Sequence, residues 1–211
     1  MINRTNEKMK SLEGQQKKRI ETLLEYLKEC PKGKKILDIG CQSGWLCDYL
    51  HSMGFEPSGV DIEEELINNG KRKYAHIDFR VADTEVIIPF PDEHFDYIFA
   101  GDIIEHVRFT DHFIHEINRT LKKDGIFILT TPNHSIIKNI LIALFKYEKH
   151  YNPEFPHYRF YTVKSLKNVL IKRGFRIETI KLIGSLPFLA QSIFLTAKKI
   201  DRKIVYSSRQ H

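Results

Sequence analysis

Gly40 and Gly44 stand four residues apart in KKILDIGCQSGWLCDYL, where an apolar run meets a helix-like stretch. Glycines at such a turn let the backbone pass close to a ligand, and the free N–H groups that open the next helix can face it. Seventeen residues past Gly44, the run EPSGVD ends in Asp61. A carboxylate at the carboxyl end of a strand can accept hydrogen bonds from both hydroxyls of a ribose. Position and chemistry therefore point to a nucleoside-bearing ligand. A dinucleotide fits less well, because Gln42 stands where G-x-G-x-x-G needs its middle glycine. Asp38 and Cys41 flank the turn. Asp38 either faces the ligand or is satisfied by loop amides; Cys41 reads as a packed small residue rather than a nucleophile.

Three further groups could do chemistry. Asp83 and Thr84 follow an apolar stretch, where an aspartate serves equally as a turn former. GDIIEHV carries Asp102, Glu105 and His106 just past another apolar run. A histidine there could take a proton near neutral pH, or order its loop. PHYRFYT places His157, Tyr158, Arg159, Phe160 and Tyr161 together, suited to a flat or anionic substrate or to a packed turn.

The elements that would position these groups alternate. A helical stripe over 12–30 is closed by Pro31. Strands are expected at 36–39, 57–61, 76–81, 97–100 and 126–130, with helices at 44–53, 63–73 and from Thr110 onward, and Gly125 as the stop of the last. Such alternation predicts a parallel sheet covered on both faces, with right-handed crossovers. Residues 131–162 are too long for an ordinary connection and contain SIIKNILIALFKYEKHY, apolar around most of a helix. That helix is expected to be buried as a lid, to meet another chain, or to rest on a bilayer surface. A helix over 163–173 and two strands, 175–183 and 192–198, follow; the short link between the strands implies antiparallel pairing.

The 211 residues suit one α/β domain, with 199–211 as a loosely held tail. No apolar run approaches a membrane span, and the first residues lack the apolar segment of a signal peptide. Three cysteines without C-x-x-C spacing argue against a disulfide framework or a zinc site, so a cytoplasmic protein with reduced thiols is expected. Net charge is +6, yet residues 51–105 carry thirteen Asp or Glu against four Lys or Arg, leaving +15 on the remainder. That balance permits an anionic partner or an ordinary solvated surface.

The motifs in order resemble a known family. LDIGCQSG resembles the first motif of class I S-adenosylmethionine-dependent methyltransferases, usually L-D-[IVL]-G-C-G-x-G, with Gln42 as a departure. GVDIEEELI resembles their acidic second motif. VADTEVIIPFPDEHFDYIFAGDIIEHV and LKKDGIFILTTPN are similar to the later stretches of small-molecule members, those of quinone biosynthesis included. The likeness spans about residues 34–133.

It implies a Rossmann-like α/β fold, a seven-stranded mixed sheet with an antiparallel last strand, helices on both faces and a helical insertion after the fifth strand. The cofactor would be S-adenosylmethionine, with S-adenosylhomocysteine as product and no metal expected. Asp38, Gly40, Cys41 and Gly44 would border its methionine part, Asp61 its ribose, Ile62 its adenine. Asp83, with Thr84 beside it, would meet the adenine amino group, and Asp102 the methionine moiety or reacting centre. His106 would be the catalytic base, and His157, Tyr158 and Arg159 would face the substrate. The expected acceptor is an oxygen of a small, lipid-linked or aromatic molecule. Segment 135–150 would make a peripheral membrane contact or a homodimer. Nucleic acid is disfavoured, for no nucleic-acid module is recognisable. Methylation of RNA or protein, or non-catalytic cofactor binding, are the rival readings.

Overall fold

A computed structural model describes residues 11–145, 158–184 and 190–200. Helix α1 (Gly14–Lys28) turns Ile20, Leu23, Leu24 and Leu27 inward, spaced by three, one and three residues. The next elements are β1 (Lys35–Ile39), α2 (Trp45–Ser52), β2 (Glu56–Asp61), α3 (Glu64–Lys73), β3 (Asp78–Val81), β4 (Phe95–Gly101), α4 (Thr110–Thr120) and β5 (Leu121–Pro132). After them come α5 (Ile136–Phe145), α6 (Val163–Ile171), β6 (Phe175–Ile183) and β7 (Ser192–Lys199).

The strands form one seven-stranded sheet in the order β3-β2-β1-β4-β5-β7-β6. β1 to β5 run parallel, and β7 lies antiparallel between β5 and β6. This is the expected mixed sheet. The strand order reverses between β1 and β4, and a crevice opens beyond their carboxyl ends at such a switch.

Successive strand residues point to opposite faces, and the core divides accordingly. Leu37, Ile98 and Phe127 pack with Phe113, Ile117, Leu166 and Leu170 of α4 and α6. Their neighbours Ile36, Phe99 and Ile128 pack with Leu23 and Leu27 of α1 and with Trp45, Leu46 and Leu50 of α2. Both faces of the sheet are thus covered, as parallel strands require.

Two expectations are corrected. β5 does not wait for Gly125: it begins at Leu121, directly after α4, because the fully buried Leu121 pairs with Phe95. Asp124, at φ 61, takes the left-handed turn that lets KKDG continue the strand, and the register shifts between Phe95 and Tyr97. The inserted helix exists as α5, but it is not buried as a lid. None of its residues is buried.

Candidate functional site

The turn from β1 into α2 is held by conformation as much as by contacts. Gly40 and Gly44 have φ of 76 and 77. A Cβ on Gly44 would lie 2.1 Å from the Phe79 ring, and one on Gly40 would lie 2.5 Å from Ile103 Cδ1. Only glycine fits both demands. Gln42 also sits in the left-handed region, at φ 52. This explains why glycine is usual there in proteins with this motif, and the side chain is tolerated at a conformational cost.

Asp61 closes the turn from the neighbouring strand. Its Oδ2 accepts the Gln42 N–H at 2.8 Å, and its Oδ1 accepts the Glu63 N–H at 3.0 Å. The loop after β1 and the acid at the tip of β2 are therefore in direct contact. Each carboxylate oxygen keeps capacity for another donor, as a diol would need.

Beside this turn lies a cleft of about 270 Å³. Asp38, Gly40, Cys41 and Asp102 line it, together with Ile103 and Thr130. Gly44, Asp61, Ile62, Asp83, Thr84 and His106 are not part of its wall. Asp61 ends β2 and the others stand on loops, with Ile62 and Asp83 exposed to solvent. Asp83 Oδ1 accepts the Glu85 N–H at 2.9 Å, a turn-forming bond that leaves its other oxygen available.

Burial controls the acids here. Asp38 is 3% exposed, and desolvation lifts its pKa to about 7; a Cys47 thiol contact opposes the rise and the Asp61 charge adds to it. Asp102 adopts φ 54, and Thr130 Oγ1 donates to its Oδ1 at 3.2 Å. Burial raises the Asp102 pKa, although the Arg19 charge works against the rise.

Arg19 is the residue that sequence reasoning missed. Its guanidinium reaches Asp102 Oδ2 at 2.6 Å and donates to Ser192 Oγ at 3.3 Å. Gln16, Arg19 and Ile20 of α1 form one wall of the cleft. Nothing in the local sequence around Arg19 marks it. Its place follows from the docking of α1 against the sheet.

A second knot lies beyond β4. Glu105 is 1% exposed; Thr131 Oγ1 donates to its Oε2 at 3.0 Å, while its Oε1 is buried without a hydrogen bond. Burial pushes its pKa to about 7, and the nearby Asp102 charge adds to the rise. Tyr158 and Arg159 both donate their N–H groups to the Glu105 carbonyl, at 3.0 and 3.2 Å. The Arg159 guanidinium donates to the Arg108 carbonyl at 2.7 Å, and Arg108 donates to the Tyr158 hydroxyl at 3.1 Å. These contacts fasten 158–159 to the loop bearing His106, the packed-turn arrangement. His157 lies outside the described residues. His106 is half-buried, and its backbone N–H donates to the Ile103 carbonyl at 2.9 Å. Among the described residues, no group of three or more His, Cys, Asp or Glu is placed to hold a metal ion.

The methyltransferase domain model matches residues 12–180. The chain belongs to the methyltransferase domain family. A ubiquinone biosynthesis O-methyltransferase of Pelagibacter ubique is 34% identical over 117 residues, covering 54% of this chain and 48% of that protein. The chain spans about half the length of the curated relatives it matches. Among solved structures, an S-adenosylmethionine-dependent methyltransferase of Mesorhizobium loti has TM-score 0.67 at 19% identity, covering 84% of this chain and 96% of that one. The [4+2]-cyclase SpnF has TM-score 0.70 at 18% identity, covering 90% and 84%. The fold of this methyltransferase-family chain therefore also carries other chemistry, and function has to be argued from the site.

Proposed function

We propose that this methyltransferase-family chain transfers a methyl group from S-adenosylmethionine to an oxygen of a small acceptor, lipid-linked or aromatic. The observation that carries the reading is the 2.8 Å bond from Gln42 N–H to Asp61. It joins the glycine turn to the acid that would hold the ribose, so both can grip one nucleoside.

The residues present fit that cofactor. Asp38, a buried carboxylate on the cleft wall with the Cys47 thiol at 3.8 Å, suits an ammonium. Arg19, which also lines the cleft and pairs with Asp102, suits a carboxylate. Asp61 offers acceptors to a diol, Asp83 with Thr84 would meet an adenine amino group, and Ile62 would pack against its ring. When bound, the cofactor supplies a methyl group already activated on a sulfonium.

The protein's part is positioning and exclusion of water. Asp38 and Arg19 would hold the amino-acid end of the cofactor and Asp61 its ribose. His106 takes the proton from the acceptor hydroxyl, and Tyr158 and Arg159 border the acceptor side. O-methylation is favoured over nitrogen or carbon by the relatives' names and by this histidine. For segment 135–150, a bilayer surface and a second copy both require the exposed face that α5 presents.

Calorimetric titration with S-adenosylhomocysteine tests the reading. Wild type should bind, and Asp61→Ala should lose at least about 1 kcal/mol, the scale of a buried hydrogen-bonded carboxylate. Asp61→Asn, which keeps an acceptor for the turn, should fall between them. Equal affinity in all three would remove Asp61 from the site.

A further inference from the structure

Helix α4 opens on Phe109, whose side chain has no acceptor with which to cap it. The cap arrives from a distant loop. One carboxylate oxygen of Glu85, Oε2, accepts the Arg108 N–H at 2.7 Å and the Phe109 N–H at 2.9 Å. A carboxylate at this end of a helix also meets the positive end of its dipole. Two further bonds fasten the same loop: His112 Nε2 donates to the Val86 carbonyl at 2.8 Å, and Glu116 Oε2 accepts the Ile88 N–H at 3.0 Å. A serine or aspartate at position 109 would cap the helix locally. The chain instead uses a residue 24 positions away, so the bond also fixes how two loops lie against each other.

On one side of that bond stands Asp83. Its Oδ1 accepts the Glu85 N–H, and its carbonyl accepts the Val86 and Ile87 N–H groups at 2.9 and 3.0 Å. Asp83 and Glu85 are therefore parts of one turn. On the other side, Arg108 and Phe109 follow His106 by two and three residues. The Arg108 guanidinium donates to the Tyr158 hydroxyl, and the Arg108 and Val107 carbonyls accept from Arg159, the second at 3.4 Å. A continuous run of bonds thus leads from Asp83 through Glu85 and 107–109 to 158–159. The His112 and Glu116 bonds hold the Asp83 loop to the body of α4. The Glu85 bonds hold it to the segment before α4, next to His106.

We infer that Glu85 is a positioning residue: by accepting the N–H groups of Arg108 and Phe109, it ties the loop that would meet the adenine to the segment that carries His106 and fastens 158–159. A cofactor that orders the first loop then steadies the second, where the acceptor would lie. The inference rests on the proposed adenine contact at Asp83. Without the Glu85 carboxylate, each loop keeps its own internal bonds and the tie between Asp83 and the His106 segment is cut. Loss of a helix cap alone has a different signature, since it loosens the start of α4 equally with and without cofactor.

Amide hydrogen exchange, read by mass spectrometry with and without saturating S-adenosylhomocysteine, tests it on wild type, Glu85→Ala and Glu85→Gln. In wild type, the ligand should slow exchange at 40–44 and 83–87, and also at 105–109 and 158–161, by at least about five-fold, a modest coupling between sites. In Glu85→Ala the slowing should persist at 40–44 and disappear at 105–109 and 158–161. Glu85→Gln, which keeps an acceptor for both N–H groups, should restore it. The same ratio of exchange with and without ligand at 105–109 in wild type and Glu85→Ala would overturn the inference and leave the cofactor reading standing. Slowing in wild type that stops at 83–87 would do the same. A wild type that does not bind the ligand would remove both.

Discussion

At the scale of single residues, the cleft is built around acids kept from water. Asp38 holds its proton up to about pH 7 in the folded chain, whereas an unfolded chain releases it near the ordinary value of 3.8. Between these values the folded state binds more protons than the unfolded one, so this group's contribution to stability falls as pH rises from about 4 to 7. Asp38→Asn removes the dependence. The difference in unfolding free energy between variant and wild type, measured by denaturant titration without cofactor, should shift in favour of the variant by up to about 4 kcal/mol across that window and level off above it. A difference that does not change with pH would mean Asp38 is not desolvated. Gly40 and Gly44 were legible from sequence because the turn's own backbone demands them, and Asp61 because it closes the next strand. Arg19 was not, for it meets Asp102 only after α1 has docked. The buried state of Glu105 was hidden as well: GDIIEHV reads as a polar loop, and its burial depends on Thr131 and on the chain at 158–159.

At the scale of elements, caps and pairings set the boundaries that periodicity misplaced. Thr162 opens α6 with a reciprocal cap: its hydroxyl accepts the Ser165 N–H at 3.1 Å, and the Ser165 hydroxyl accepts the Thr162 N–H at 2.9 Å. Thr162→Ala should cost about 1 kcal/mol, read as a lower denaturation midpoint with an unchanged slope. An unaltered midpoint would show that α6 is held by its packing alone. The alternation of elements pointed to the parallel sheet in advance, since the apolar runs at 36–39, 57–61 and 97–100 each had a helical stretch after them. The start of β5 was misread because Gly125 looks like a helix stop, while the pairing of Leu121 with Phe95 lies between residues far apart in sequence. The same limit applied to α5. Its sequence shows an apolar circumference, and only the contacts of Lys138 with the Asn133 carbonyl and of Asn139 with the His134 carbonyl tell which half faces out.

At the scale of the whole molecule, α1 serves two purposes. Leu23 and Leu27 are fully buried against the sheet, and Arg19, on the same helix, walls the cleft. Leu23→Ala should cost about 3 kcal/mol by leaving a cavity, and lower the thermal midpoint by roughly 6–12 °C for a chain of this size. Measured well below that midpoint, S-adenosylhomocysteine affinity should stay close to wild type, because the guanidinium is untouched. A parallel loss of affinity would mean that α1 loosens from the cleft as a unit.

The position of β7 bears on how this shape is reached during synthesis. β6 leaves the ribosome before its neighbour exists, and it belongs two places away from β5. Until residues 192–199 emerge, a strand-wide slot separates them, rimmed on both sides by unsatisfied amides and carbonyls. The nascent sheet must hold that slot open against strangers and against premature closure of β6 onto β5. The vulnerable interval in the synthesis of this sheet is therefore the one in which six strands are made and the strand that locks them has yet to arrive.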